Sequence, residues 1–101
     1  MTRDPGACAG MDELRAEIDR IDRELVALLA RRAAYIDRAA ELKRAAGLPA
    51  RIPERVEEVL GNAGAAAVAG GLDRGLVVAL WREIVEWSIA REEHALASRP
   101  R

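Results

Sequence analysis

Residues 11–46 read MDELRAEIDRIDRELVALLARRAAYIDRAAELKRAA, a run with neither glycine nor proline and rich in Ala, Leu, Glu and Arg. Those are strong helix formers. The apolar positions recur as Leu14, Ile18, Ile21, Leu25 and Leu28, then Arg32, then Tyr35, Ala39, Leu42 and Ala46. Steps of four and three in alternation are the period of a helix seam that packs against another helix. Gly47 stands where a helix takes a left-handed terminating residue, and Pro49 opposes continuation. At about 1.5 Å per residue the helix is roughly 54 Å long, far more than a monomeric domain of this size needs.

Either side of this run the pattern changes. Residues 1–10 contain Pro5, Gly6 and Gly10 and read as an N-terminal arm. After a short connection, Pro53 suits the first turn of a second helix. Val56, Val59 and Leu60 make that helix amphipathic but short, and its end falls within the glycine- and alanine-rich stretch from Gly61 to Gly71. Asp73 is placed to cap a third helix running to about Ala97. Leu76, Val77, Leu80, Trp81, Ile84, Val85, Trp87 and Ile89 give it a wide apolar face. No segment carries a strand pattern of comparable strength. The expected fold is all-α, with a long first helix, a short second and a long third. One domain spans 11–97, 98–101 form a C-terminal tail, and no separate regulatory domain is expected.

Composition narrows the function classes. The chain has 101 residues, half of them apolar but none phenylalanine. A core of small aliphatics in so short a chain gains by oligomerisation. Charged residues make up 33%, yet the net charge is −1, without the basic excess of a nucleic-acid binder. Cys8 is the one cysteine, so it reads as a free thiol and not as half of an intrachain disulfide or part of a metal set. No apolar run approaches the roughly 20 residues that span a bilayer, and the first ten lack a signal-peptide core. The expected protein is cytosolic, binding neither nucleic acid nor membrane.

A few residues do not suit a plain helix bundle. Arg32 interrupts the long seam where an apolar side chain belongs. It either snorkels at the edge of an interface or meets an anion. Lys43, three turns on, projects from nearly the same face. In the third helix Trp81, Val85, Ser88 and Glu92 form one row whose last two members are polar. Glu92 either frays into solvent or is desolvated, and a desolvated acid that keeps its proton is a hydrogen-bond donor. Arg15 lies about 42 Å along the helix from Lys43, so one straight helix cannot bring both to one ligand. An antiparallel two-fold partner, paired about Leu28 or Leu29, sets Arg15 of one chain beside the Lys43 end of the other and makes two equivalent sites. Each is then a pocket for a compact dianion.

Taken together these residues resemble the all-helical chorismate mutase family, whose relatives include isochorismate-pyruvate lyase. The resemblance runs from about Cys8 to Leu96. Met11-Asp12-Glu13-Leu14-Arg15-Ala16-Glu17-Ile18-Asp19-Arg20-Ile21-Asp22 is similar to the family's opening pattern. Leu28-Leu29-Ala30-Arg31-Arg32, then Lys43, then Pro53-Glu54-Arg55-Val56 follow in its order and spacing. The resemblance implies a homodimeric isomerase of aromatic amino acid biosynthesis that rearranges chorismate to prephenate without cofactor or metal. It implies that Arg15 binds a substrate carboxylate in the partner's site and that Arg32 holds one in its own. It implies that Lys43 and Glu92 donate to the ether oxygen of the breaking bond, that Arg55 closes over the substrate, and that Ser88 helps hold a carboxylate. The alternatives are the lyase and a non-catalytic helical dimer. The dimer alone gives no use to Arg32, Ser88 and Glu92.

Two departures bear on the choice of substrate. Val56 stands where many mutases carry a glutamate for the ring hydroxyl, and Ile52 replaces an aspartate nearby. An apolar residue at the first position, the Arg-Arg-x-x-Tyr run from Arg31 to Tyr35 and the Cys-x-Gly lead-in at Cys8 lean towards the lyase. Ser88 leans towards the mutase, which is the expectation carried forward. His94 reads as a surface residue near a helix end.

Overall fold

The computed structural model describes residues 4–98. The first three residues of the N-terminal arm, and the C-terminal tail beyond Ser98, lie outside the described residues. Three α-helices follow a short 3-10 turn at Pro5–Ala7: α1 Met11–Ala46, α2 Pro53–Ala69 and α3 Arg74–Ala97. Among the described residues there is no strand, as the all-α reading requires. The chain divides into two compact units between Ala34 and Tyr35, within α1.

The first unit is the lead-in and the opening turns of α1. Glu13 reaches back to accept from the Ala9 N–H at 2.7 Å, tying the lead-in to the first turn of α1. Asp12 and Glu13 also place negative charge at the positive end of the helix dipole. No described residue of this unit is buried. Ile18, Ile21, Leu25 and Leu28, the expected seam, remain about half exposed in the single chain.

The second unit holds the rest of α1 with α2 and α3. Gly47, at φ +70, ends α1. Its N–H donates to the Arg44 carbonyl at 3.3 Å, and the Leu48 N–H donates to the Lys43 carbonyl at 2.8 Å. This paired closure of a helix end requires the left-handed glycine. Pro53 opens α2 as expected, and Ile52 before it offers no side-chain cap. The second helix runs further than its sequence suggested, for 17 residues through Gly61 and Gly64 to Ala69. The reason is packing. Leu60, Ala63, Gly64 and Ala67 recur on one helical face and are all buried, which outweighs the weak propensity of two glycines. Gly71, at φ +71, then repeats the closure seen at Gly47.

Asp73 caps α3 as the sequence suggested, its carboxylate accepting from the Leu76 N–H at 3.1 Å. Leu60 and Ala50 cluster with Val85 and Ile89, while Ala63 and Ala67 cluster with Val77. Early α2 therefore meets late α3 and late α2 meets early α3, an antiparallel pair. Trp81 packs against both clusters. Leu76, Leu80 and Trp87, also read as part of the apolar face, stay about half exposed.

Candidate active site

Lys43 and Glu92 meet within the second unit. Lys43 lies one turn before the glycine that ends α1, and Glu92 closes the row Trp81, Val85, Ser88, Glu92 on α3. Glu92 is 4% exposed and Ser88 3%, so the solvent-fraying alternative for Glu92 is excluded. The Lys43 ammonium donates to Glu92 Oε1 at 2.5 Å and to the Ala50 carbonyl at 2.7 Å. An ammonium has three donors, so these acceptors leave one N–H for a ligand oxygen.

The local fold explains the placement. Closure at Gly47 turns the chain back, so that Ala50, itself buried, presents its carbonyl to the lysine seven residues earlier. Val85 and Ile89 anchor the same face of α3 in the core, which carries Ser88 and Glu92 inward. The Ser88 hydroxyl donates to the Ile84 carbonyl of its own helix at 2.8 Å. Val56 packs against the cluster of Leu60, Val85 and Ile89. It adds apolar wall and no donor.

The other expected site residues are placed as follows. Arg55, near the start of α2, is exposed and paired with Glu58 at 2.5 Å. Arg15 and Arg32 belong to the first unit, Arg15 exposed and Arg32 half-buried on α1. The site's core is thus a pair, Lys43 with Glu92, beside the buried hydroxyl of Ser88.

Several contributors were not anticipated. The Ala50 carbonyl has no sequence signature. Arg91 makes a two-pronged bond to Asp37, at 2.6 and 3.0 Å, and its guanidinium holds the Asp37 carboxyl below its ordinary range. Arg51 does the same to Glu86, at 3.0 and 2.6 Å. One signal was available for the site itself: of 16 basic residues, Lys43 is the single lysine. A chain that otherwise uses arginine has here a compact, rotatable point charge in place of a planar fork.

Chemically, a half-buried cation with a spare donor, next to a buried acid, stabilises negative charge that develops on an oxygen. The comparisons agree with that chemistry. Residues 14–93 match the family described as chorismate mutase type II. The chain belongs to the chorismate mutase type II family. It is 38% identical over 89 residues to the isochorismate pyruvate lyase of Pseudomonas aeruginosa, covering 87% of this chain and 86% of that one. It is 35% identical over 86 residues to the bifunctional chorismate mutase/prephenate dehydratase of Aquifex aeolicus, covering 82% of this chain and 24% of that protein. The T-protein of Haemophilus influenzae is 33% identical over 82 residues, 81% of this chain and 22% of its own. The chain therefore spans nearly all of the first relative and about a quarter of the other two. This family is the resemblance read from Arg15, Arg32, Lys43 and Arg55.

Proposed function

We propose that this chorismate mutase type II chain converts chorismate to prephenate in a homodimer with two composite sites. The observation that carries the reading is the contact of half-buried Lys43 with buried Glu92. The rearrangement is pericyclic and needs no nucleophile, cofactor or metal. As the carbon–oxygen bond breaks, negative charge gathers on the ether oxygen. Donors fixed at that atom stabilise the transition state more than the substrate. Lys43 supplies an ammonium, and Glu92, when protonated, supplies a second donor. Arg32 of the same chain, Arg15 of the partner and Arg55 grip the two carboxylates, which folds the enolpyruvyl arm over the ring. Ser88 turns its hydroxyl from Ile84 to help hold one of them. Even a 10⁶-fold acceleration, at the low end for enzymes, needs about 8 kcal/mol. Several charged donors around one small dianion are a sufficient source.

The dimer rests on α1. Its apolar row is half exposed in the single chain, and pairing the row with its own copy about Leu28 buries it and carries Arg15 to the partner's Lys43. The reading includes a cytosolic location, in keeping with the free thiol of Cys8.

Val56 favours a second reading. It provides no polar group for a ring hydroxyl, and the Pseudomonas aeruginosa relative is named as an isochorismate pyruvate lyase. The same cations then promote loss of pyruvate from isochorismate, leaving salicylate. The deciding experiment offers purified protein chorismate and isochorismate separately, following prephenate in one case and salicylate with pyruvate in the other. Prephenate, falling at least about a hundredfold in Arg32→Ala, establishes the mutase. Salicylate and pyruvate as dominant products establish the lyase. Turnover of neither substrate defeats both readings.

A further inference from the structure

The sequence neighbours of the two site residues each cross to the opposite helix. Arg91, next to Glu92 on α3, donates from Nε to Asp37 Oδ1 and from Nη2 to Asp37 Oδ2 on α1, at 2.6 and 3.0 Å. The Arg91 guanidinium also lies over the Trp87 ring, 5.2 Å from its centroid. Arg44, next to Lys43 on α1, donates to the Ala95 carbonyl, and to the Ser98 carbonyl at 3.0 Å. These are acceptors at the end of α3, where a helix leaves carbonyls open. Two arginines running in opposite senses thus bracket the Lys43–Glu92 bond.

We propose that Asp37 and Arg91 are positioning residues, which fix the register of α1 against α3 that sets Lys43 Nζ on Glu92. The inference rests on the functional reading of that pair given above. An ion pair as exposed as this one contributes little to stability, so holding the fold together is a poor account of it. A forked bond to a planar guanidinium constrains distance and orientation at once. The Trp87 ring limits the guanidinium from a third direction. Arg91 holds the Asp37 carboxyl below its ordinary range, which keeps the pair charged at neutral pH. Register matters because a donor displaced by about 1 Å can lose up to about a hundredfold in rate.

The test compares the full-length parent with Asp37→Asn, Arg91→Lys, their double variant and Glu41→Gln. Glu41 pairs with Arg38 within α1 at 3.3 Å and crosses to no other element, so it is the control. Two quantities are read: kcat and KM on whichever substrate the parent turns over, and the rate at which acetic anhydride acylates Lys43. After proteolysis, acylation is read by mass spectrometry on the peptide that carries Lys43, resolved from the N-terminal amine and from position 91, against a lysine peptide in the same tube. Asp37→Asn and Arg91→Lys should each lower kcat about tenfold or more with KM within about twofold. The double variant should fall no further than the singles, since they remove one interaction. Lys43 should acylate several-fold faster in all three, with Glu41→Gln like the parent in both measures. Arg91→Lys keeps the charge and serves where Asp37→Asn unfolds. A parent-like kcat, additive losses, or unchanged Lys43 acylation each overturns the inference. Should the parent turn over neither substrate, the functional reading fails, and the acylation rates alone decide whether Asp37 and Arg91 set the position of Lys43.

Discussion

A lysine and a glutamate shielded from water are an expensive way to join two helices. Their desolvation cost is comparable with their attraction, and an apolar pair of similar volume would be equally stable or better. The Lys43–Glu92 contact is therefore better explained by chemistry than by stability. Against an oxygen gaining negative charge, a Glu92 carboxylate repels and a neutral acid donates. Glu92→Gln, whose amide donates to that oxygen from a side chain of the same length, should keep mutase activity, whereas Glu92→Ala should lose about a hundredfold in kcat/KM. An alanine variant as active as the parent would remove Glu92 from the donor set. The sequence showed Glu92 as a polar residue ending an apolar row, but could not choose between solvent and burial. That choice depends on the last turns of α1, brought over by a turn at Gly47. Lys43 owed its expected role to the resemblance, although its being the chain's one lysine marks it without any comparison.

Among the elements, α1 and α3 were legible because their ends carry explicit stops, Gly47 after one and Asp73 before the other. The length of α2 was not. Gly61 and Gly64 read as breakers, and the face formed by Leu60, Ala63, Gly64 and Ala67 acquires meaning only once α3 lies against it. Propensity is local, whereas the packing that overrides it comes from some twenty residues later. Two glycines then have opposite roles. Gly61 is exposed in the helix interior, and an added Cβ meets nothing within 4 Å. Gly61→Ala should stabilise the protein by about 0.5–1 kcal/mol. Gly71 sits at φ +71, a conformation that L side chains rarely adopt. Gly71→Ala should therefore destabilise by about 1–2 kcal/mol. Urea unfolding midpoints at one protein concentration measure both. Equal signs for the two substitutions would show that α2 does not end as described.

For the molecule as a whole, the open question is what covers the first half of α1. An isolated helix gains too little from its own hydrogen bonds to persist in water, and most helical stability in proteins comes from packing an apolar face. In the first unit no described residue is buried, while Ile18, Ile21, Leu25 and Leu28 are each about half exposed. The partner proposed for it is a second copy. Paired antiparallel, the row meets itself, each subunit presents the same surface, and two equivalent sites result. Covering four such side chains that are now half exposed gives several kcal/mol, at about 1.5–3 kcal/mol for each one fully buried. A charge placed in the seam reverses the sign of that contribution, because it must be desolvated against its own copy. Leu25→Glu should thus convert a dimer to a monomer in sedimentation equilibrium, lower helicity, and abolish turnover although no proposed catalytic group has changed. Arg15→Ala should leave the dimer intact and lose activity alone. Mixing Arg15→Ala with Lys43→Ala subunits separates a shared site from two independent ones. If Arg15 acts across the interface, one site of each mixed dimer carries both lesions and the other carries neither. Activity should then rise on mixing, by an amount set by the fraction of mixed dimers. A monomeric parent, or no recovery on mixing, would confine the site to one chain and take Arg15 out of it.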